Sequence, residues 1–359
     1  MKLRVILALT FGCVNAALAQ GQLTLYGSMD ESVPWISNIQ GHGSVRMDAG
    51  ISQPDLFGIR GTEDLGGGMK ALFQLENGFL TDSGSMIAAG KLFNRASWIG
   101  LEGKLGIVKL GRQVDFTADK LGQWSNGYQL FNFYLYHPGN LDGLSSQFPV
   151  DNAITYRTPV FGGMQASAMY GLGEVPGDRS ANRTYSFAGT YAGARLNLAI
   201  AYTDANGRAF DINGTTGIAQ AMGQGLAAGR ALPIDSFKAG GIGGGYRLET
   251  LPISVNALYS RSTLRVGMSQ GTMNAADLGL SWQATPATAV NIGYSFSKFE
   301  RTKWHQLNLG SMYYLSKRTQ LYALWTYQHA VDGVAAMNVV GISSGRNQSV
   351  VSAGIHTSF

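Results

Sequence analysis

The chain has 359 residues, of which 45% are hydrophobic, 14% are charged and 49 are glycine. This hydrophobic content excludes a disordered chain, because disordered segments contain few apolar residues and carry a high net charge. A mean hydropathy of −0.00 is too polar for a bundle of membrane helices, and a single cysteine excludes a disulfide framework or a cysteine-based metal site. The net charge of +5 is modest, and the sequence has no run of Lys or Arg that indicates nucleic acid as a partner.

The N-terminus has the features of a secretory signal peptide. Two basic residues precede the apolar run Val5–Gly12, and Ala17–Ala19 forms a small-residue cleavage site. The apolar run is too short for a transmembrane helix. We therefore expect residues 1–19 to be removed, which leaves the mature domain Gln20–Phe359. A lipoprotein site at Cys13 is the weaker alternative, because it shortens the apolar run and leaves the alanine motif without a role.

A period of two recurs along the mature chain. In the segment 290–297 large apolar residues alternate with Asn, Gly and Ser, and similar alternation occurs in the segments 196–202, 321–328 and 351–359. This period predicts β-strands, while no mature segment has the ~20 apolar residues of a spanning helix. A soluble sandwich has the same alternation, so the period alone leaves both folds open.

Strand and connection lengths favour a membrane barrel over a sandwich. The strands have the ~9–11 residues that a tilted strand needs to cross hydrocarbon. Short turns alternate with longer Gly-rich loops such as Asp204–Ser236 and Val331–Asn347, which is the layout of an outer-membrane barrel. The short turns lie at residues 63–67, 102–104, 160–162, 193–195, 248–250, 285–287 and 316–319. They predict an all-β, antiparallel transmembrane barrel of about 16 strands, closed because an open sheet edge in lipid leaves backbone groups unpaired, with a lumen wide enough for water.

Eight parts of the mature chain, taken in order, carry a family resemblance. They are Leu23–Gly27, Gly58–Glu76, Phe93–Leu101, Leu110–Gln113, Asn152–Tyr156, Phe161–Gly163, Leu315–Thr319 and Phe359. These parts resemble the Gram-negative general porins, most of all the trimeric outer-membrane porins of beta-proteobacteria, and they keep the order found in that family. The resemblance implies a homotrimer in the outer membrane, with one pore per barrel, in contact with lipids and lipopolysaccharide. It also implies that the terminal Phe359 is recognised by the barrel-assembly machinery.

The longest connection in the first half is Val114–Val150, the third loop of the predicted barrel. The matching loop of the general porins folds inward and narrows the pore. Here the loop is rich in aromatic residues, which as an exposed surface would form an unusual apolar patch. Packing against the inner wall explains them better than an external loop that packs on itself or on a neighbouring subunit.

Opposite this loop, the family resemblance implies a ladder of basic side chains on the barrel wall. Arg95 matches the family motif best, Arg60 and Arg112 lie in matching segments, and Lys109 points inward if Val108 and Leu110 face lipid. Arg112 then needs a bulge or a strand end to turn inward.

The acidic residues Asp115 and Asp119 of the third loop are predicted to face the wall residues Arg60, Arg95 and Arg112 across the constriction. The three Arg and Lys109 outnumber the two Asp, which predicts a preference for anions. Many relatives carry basic residues where this chain has Leu56 and Phe148–Val150, so this preference is predicted to be weak.

The sequence patterns that could indicate catalysis lack the structural context that catalysis requires. Gly341–Gly345 satisfies the nucleophile-elbow pattern but lies in a loop between strands with no helix after it. The five histidines show no metal-ligand spacing, and neither a metal nor a cofactor is predicted.

The sequence therefore predicts a non-enzymatic, water-filled channel for passive diffusion of small hydrophilic solutes and ions. A solute-selective channel, or a barrel that acts mainly as an adhesin or structural protein, are the alternatives.

Overall fold

The computed structural model describes residues 21–359 and is built almost entirely of β-strands. The predicted signal peptide, residues 1–19, and the predicted mature N-terminus Gln20 lie outside the described residues. Sixteen strands form the barrel wall. They are β1 (Gln22–Ile39), β2 (Leu56–Gly66), β3 (Met69–Gly78), β4 (Ala96–Gly103), β5 (Gly106–Gln113), β6 (Val150–Arg157), β7 (Met164–Gly171), β8 (Thr184–Ala192), β9 (Leu196–Ala205), β10 (Ser236–Arg247), β11 (Ile253–Val266), β12 (Ser269–Thr285), β13 (Thr288–Phe299), β14 (Thr302–Tyr314), β15 (Thr319–Val331) and β16 (Asn347–Ser358).

The connections between these strands contain only short elements. The helical pieces are α1 (Asn126–Gln129), α2 (Ile212–Thr216) and the single turns Thr117–Leu121, Gly122–Trp124, Phe133–Leu135 and Pro138–Asn140. The short strands outside the wall are His42–Val45, Asp48–Ala49, Arg208–Phe210, Gln220–Ala221, Gln224–Gly225, Leu232–Ile234, Ala336–Met337 and Gly341–Ile342.

The sheet closes on itself through β1. Residues 22–28 of this strand pair with β2, and residues 28–36 pair with β16. Each strand from β2 to β15 pairs antiparallel with its two neighbours in sequence, and β16 pairs with β15 and β1. Closure leaves no sheet edge for lipid to contact, which is the condition for spanning a membrane with strands. The predicted closed barrel of about 16 strands is confirmed, and the sandwich is excluded.

The two rims of the barrel differ in their connections. All seven predicted short turns lie at one end, here called the turn rim, and the long connections lie at the opposite end, the loop rim. The predicted alternation of short and long connections fails at two places, because Gly267–Met268 and Glu300–Arg301 are tight turns on the loop rim. At Gly267–Met268 the residues that were expected to form a long loop are part of the strands β11 and β12, which have 14 and 17 residues.

The wall is apolar outside and polar or small inside. On β13, Ile292 and Tyr294 are exposed on the outer surface, whereas Asn291 and Ser295 beside them are buried inside. Outward-facing aromatic side chains form a girdle at each end of this apolar band, as expected at membrane interfaces. Near the loop rim these are Tyr185, Tyr202, Tyr259, Tyr294 and Tyr327; near the turn rim they are Phe161, Tyr191, Tyr246, Trp282, Tyr313 and Phe359.

The connection Val114–Val150, called loop 3 from here on, folds into the barrel as predicted. The Phe116 backbone amide donates to Ser186 on β8, the Asn126 side-chain amide donates to the Tyr294 carbonyl on β13, and Gln306 on β14 donates to the Tyr134 carbonyl. Three of its eight aromatic side chains are buried, Phe116 and Tyr134 completely, and four more are partly buried. Loop 3 therefore covers the inner wall from β8 to β14.

Candidate pore constriction

The half of the lumen that loop 3 leaves open contains a narrow, charged cavity of about 270 Å³. Its wall comes from β3 to β6 and its opposite side comes from loop 3, so the cavity lies between the inner wall and the loop. The lining residues are Gln74, Glu76, Arg95, Ala96, Trp98, Lys109, Gln113, Val114, Asp119, Ser146, Pro149 and Arg157.

Charges of both signs line this cavity in pairs. Arg95 Nε lies 2.8 Å from Glu76 Oε1, and Arg157 Nη2 lies 2.7 Å from Asp119 Oδ2. All four side chains are partly exposed, so their field reaches the water in the passage. Lys120 also approaches Asp119, at 3.4 Å.

Lys109 is placed differently from the arginines. Val108 and Leu110 are exposed on the outer surface, so Lys109 points inward as the alternation predicts. Its Nζ lies 3.7 Å from the centre of the Trp98 ring, a cation–π contact. The amine is therefore held at the cavity by an uncharged partner.

Two of the predicted wall arginines lie outside the cavity. Arg60 is exposed on the inner wall, in register with Gln74, with its guanidinium 5.3 Å from the Tyr26 ring centre. The predicted bulge at Arg112 is present, since the register of β5 and β6 shifts between Gly111 and Gln113. Its effect differs from the expectation, because the Arg112 side chain forms an ion pair with Asp151. Arg112 lines a neighbouring cavity, which shares Arg95, Ser146 and Pro149 with the first one.

Asp115 requires a correction. Only 1% of this residue is exposed, and its carboxylate is paired with Arg208 of the connection between β9 and β10 at 2.6 Å. The guanidinium of Arg208 lies 4.7 Å from the Phe237 ring centre, and Thr203 donates to the other Asp115 oxygen. The predicted facing of Asp115 and the wall arginines is therefore absent, because Asp115 turns into the wall and anchors the start of loop 3. Asp119, one turn later, is the acidic residue of this segment that lines the cavity.

Sequence reasoning missed Arg157, Trp98 and Arg208. Arg157 ends β6 and Trp98 alternates with the outward-facing Ile99, so the period of two was a usable signal for both residues. Nothing in the sequence indicated Arg208, since its partner Asp115 is 93 residues away and both lie in connections.

The geometry defines the class of protein. Among residues 21–359 no helix is long and apolar enough to cross a membrane. The wall has a lipid-facing apolar band between two aromatic girdles, and the lumen is polar and narrowed by an inner loop. A barrel of this kind is a transmembrane channel.

Comparisons with known proteins agree with this class. A family model described as Gram-negative porin matches residues 6–333. Outer membrane porin protein 32 of Delftia acidovorans is 31% identical over 380 aligned residues, which cover 100% of both chains. An outer membrane porin protein of Bordetella pertussis is 27% identical, over 89% of this chain and 92% of the relative.

Solved structures show the same fold. The anion-selective porin from Comamonas acidovorans superposes with a TM-score of 0.78 at 24% identity, over 95% of this chain and 100% of that one. A trimer form of OmpT from Vibrio cholerae gives a TM-score of 0.69 at 14% identity, over 94% of this chain and 99% of the other.

The chain therefore belongs to the Gram-negative porin family. It is an outer-membrane porin, and its barrel forms a water-filled channel for passive diffusion of small hydrophilic solutes and ions. The predicted resemblance to beta-proteobacterial porins is confirmed by the relatives from Delftia and Bordetella. Family and fold indicate a channel rather than an enzyme.

Proposed function

We propose that the cavity between β3–β6 and loop 3 is the constriction of this channel and that it gives a weak preference for anions. The paired charges on its two sides support this proposal. Arg95, Lys109 and Arg157 outnumber Glu76 and Asp119 at the cavity, which leaves one excess positive charge. An ion that passes through this gap is less screened than at the outer surface.

The opposed charges also influence which solutes pass through the constriction. They orient water across the passage, and an apolar solute has to displace this water without replacing its hydrogen bonds. Small hydrophilic solutes and ions keep such bonds as they pass, so the constriction favours them.

A reversal-potential measurement in a salt gradient across a planar bilayer tests the assignment. Replacing Arg95 by Ala removes a positive charge and leaves Glu76 without its partner, so the potential is expected to shift toward cation preference. Replacing Asp119 by Ala leaves Arg157 without its partner, and we expect the opposite shift.

Arg60→Ala is the comparison variant. Arg60 lies on the inner wall outside the cavity, so we expect its loss to shift the reversal potential less than the loss of Arg95 does. If Arg95→Ala and Asp119→Ala both leave selectivity and conductance as in the unchanged protein, these side chains do not line the constriction.

We also propose that the chain forms a homotrimer, as the family resemblance and the trimer form of the Vibrio cholerae relative suggest. Heat-modifiable migration in detergent gels, with cross-linking to count the subunits, tests this. A single-subunit species under mild extraction would contradict the trimer.

A row of outward-facing basic side chains supports contact with lipopolysaccharide. Arg261 on β11 is opposite Asn274, which is opposite Lys298 on β13, and Lys298 is opposite Lys303 on β14. Neighbouring positions in such a row are about 4.5–5.5 Å apart. The row lies beyond the girdle at the loop rim, at the level where phosphate groups of the outer leaflet are expected. Loss of co-purified lipopolysaccharide after replacing all three basic residues by Gln is the expected result.

Processing is part of the proposal. We propose that residues 1–19 are a signal peptide and that Gln20–Phe359 is the mature domain. N-terminal sequencing of the outer-membrane protein is expected to begin at Gln20, and a mature chain that retains Val5–Gly12 would contradict it.

A further inference from the structure

A histidine is buried at the contact between loop 3 and the barrel wall. His137 is only 2% exposed. Its Nδ1 lies 2.6 Å from Oδ2 of Asp142, and its Nε2 lies 3.1 Å from Oδ1 of Asp277. Asp142 belongs to loop 3, as His137 does, whereas Asp277 belongs to β12. The ring therefore joins the loop to the wall through two carboxylates.

The two contacts together require two protons. An ionised carboxylate only accepts hydrogen bonds, and a neutral imidazole carries a single N–H. Both contacts are hydrogen bonds between His137 and ionised carboxylates only if the ring is an imidazolium that donates from both nitrogens. Hydrogen bonds of this kind, with both partners charged, are about twice as strong as neutral ones.

The surroundings favour this charge distribution. Ser260 on β11 donates to Oδ2 of Asp142 at 2.8 Å, and the Asn126 backbone amide donates to Oδ2 of Asp277 at 2.9 Å. Burial alone would lower the pKa of His137, but the Asp277 and Asp142 carboxylates outweigh burial and raise it well above its ordinary value. Burial would raise the pKa of Asp142, and the facing imidazolium instead lowers it.

The groups that face the ring from each packed element are few. Loop 3 contributes Asp142 and the buried phenol of Tyr136, whose pKa is raised by burial so that it stays neutral. The wall contributes Asp277 from β12 and the hydroxyl of Ser260 from β11. A change of charge in this group with rising pH therefore begins at His137.

We propose that His137 is a positioning residue of the channel, which as an imidazolium holds loop 3 against β12, and that alkaline deprotonation releases this contact. The inference rests on the proposed constriction, because loop 3 forms one side of that cavity. A neutral ring that keeps its short bond to Asp142 presents a lone pair to the Asp277 carboxylate. The contact that is lost is therefore the one between His137 and β12. The segment of loop 3 around His137 then moves toward the open half of the lumen, while the other hydrogen bonds between loop 3 and the wall remain.

The direction with pH follows from the raised pKa. The contact is fully formed below the ordinary histidine pKa of about 6.5 and is lost as the pH rises through the higher folded-state value. We therefore expect steady open-channel current at neutral pH and frequent partial closures in the alkaline range.

Single-channel recording of the whole protein from about pH 6 to about pH 11 tests the proposal. His137→Gln cannot become charged, so partial closures are expected at every pH with no alkaline transition. Asp277→Asn provides an amide that donates to a neutral ring, so the alkaline closures are expected to disappear. His329→Gln is the matched control, since His329 faces outward on β15, and it is expected to behave as the unchanged protein does.

Two single-channel results would contradict the proposal. A channel that stays steady across the whole range, with His137→Gln identical to it, overturns the proposal. So does an Asp277→Asn variant that keeps the alkaline closures. If the variants fail to assemble, histidine-labelled NMR of the unchanged protein decides: an imidazolium signal from His137 at about pH 8 supports the proposal, and a neutral ring overturns it.

This NMR result does not depend on conduction, whereas the Arg95 and Asp119 variants test the constriction without changing His137. Failure of the proposed constriction and failure of the histidine contact are therefore distinguishable.

Discussion

Lys109 differs from the other basic residues at the cavity because its contact is an aromatic ring. The arginines at this level each face a carboxylate, so their charges are partly compensated. The Trp98 ring holds the Lys109 amine in place through its quadrupole and does not neutralise it. Of the three basic side chains at the cavity, Lys109 therefore contributes most to the excess positive charge that a passing ion experiences.

Lys109→Met is expected to reduce the proposed anion preference. The substitution keeps the length of the side chain and removes its charge. A unit charge about 4 Å away contributes about 1 kcal/mol in water. Its loss disfavours an anion and favours a cation by this amount each, so the anion-to-cation permeability ratio is expected to decrease by up to about thirtyfold. Reversal potentials in a salt gradient measure this ratio. Lys70→Met is the control, because Lys70 is on the inner wall outside the cavity; equal effects of the two substitutions would contradict the special role of Lys109.

Asp115 and Arg208 form a buried ion pair, and here the expected effect is on stability. Their side chains are 2% and 9% exposed. Removing one partner of a buried pair leaves an uncompensated charge and costs about 3–5 kcal/mol. Asp115→Asn is therefore expected to lower the temperature at which the folded barrel is lost in detergent, with reversal potential nearly unchanged. A large selectivity shift without loss of heat resistance would place Asp115 at the pore instead.

The residues of the site were only partly predictable from the sequence. The inward direction of Lys109 followed from the period of two on its strand, because the lipid outside fixes which face is apolar. The ion-pair and hydrogen-bond partners of the loop 3 residues could not be predicted in this way. Asp119 pairs with a residue 38 positions later, Asp115 with one 93 positions later and His137 with one 140 positions later. Such pairs depend on the path of loop 3 through the lumen, and no local pattern encodes that path.

At the scale of elements, loop 3 lies in a trough made by glycines on the inner wall. A Cβ at Gly243 on β10 would lie 2.7 Å from Trp124 Cβ, and one at Gly293 on β13 would lie 2.5 Å from Leu130 Cδ1. Both distances are too short for side-chain contacts. The absence of side chains at these positions lets the loop approach the wall, which leaves the opposite half of the lumen open.

Gly243→Ala is expected to push loop 3 away from the wall. Overpacking of this kind costs about 1–3 kcal/mol, and the displaced loop narrows the passage, so open-channel conductance is expected to fall. Gly310→Ala is the matched control, because a Cβ there meets its nearest neighbour at 3.6 Å, an ordinary contact. Equal conductance of the two variants would show that the trough does not position the loop.

The elements themselves were more predictable than their interior contacts. The short turns at the turn rim were all placed correctly, because each is a brief break between two alternating segments and contains glycine, proline or a charged residue. The tight turns at Gly267–Met268 and Glu300–Arg301 were missed, since strands that extend beyond the membrane lose the clear apolar face that marks them. The glycine-rich run Gly240–Gly245 can be read from the sequence, but only the structure shows that Gly243 and Gly245 accommodate Trp124.

For the whole molecule, barrel closure depends on β1, which pairs with β2 through its first half and with β16 through its second. The chain end takes part in this seam. The Phe359 amide donates to the Gly27 carbonyl at 3.0 Å, and the Gly27 amide donates to the Phe359 carbonyl at 3.2 Å. A Cβ at Gly27 would lie 2.4 Å from Cζ of Phe359, so the ring lies directly over this glycine. Half of Phe359 is exposed, on the outer surface at the turn rim.

Deleting Phe359 is expected to lower the amount of folded protein in the outer membrane. Two causes are separable: loss of packing over Gly27, and loss of the recognition by the assembly machinery that the family resemblance implies. Refolding into lipid vesicles without that machinery reports only the first cause. We expect the deletion to refold nearly normally in vesicles while heat-modifiable protein in cells decreases strongly.

Phe359→Trp separates the causes further, because it keeps an aromatic ring at the interface. If recognition requires the terminal phenyl group, this variant refolds normally in vesicles and is still depleted in cells. An equal defect in vesicles and in cells would assign Phe359 to the packing of the β1–β16 seam alone, since the machinery is absent from one of the two measurements. An unchanged amount of folded protein in cells after the deletion would remove the assembly role altogether.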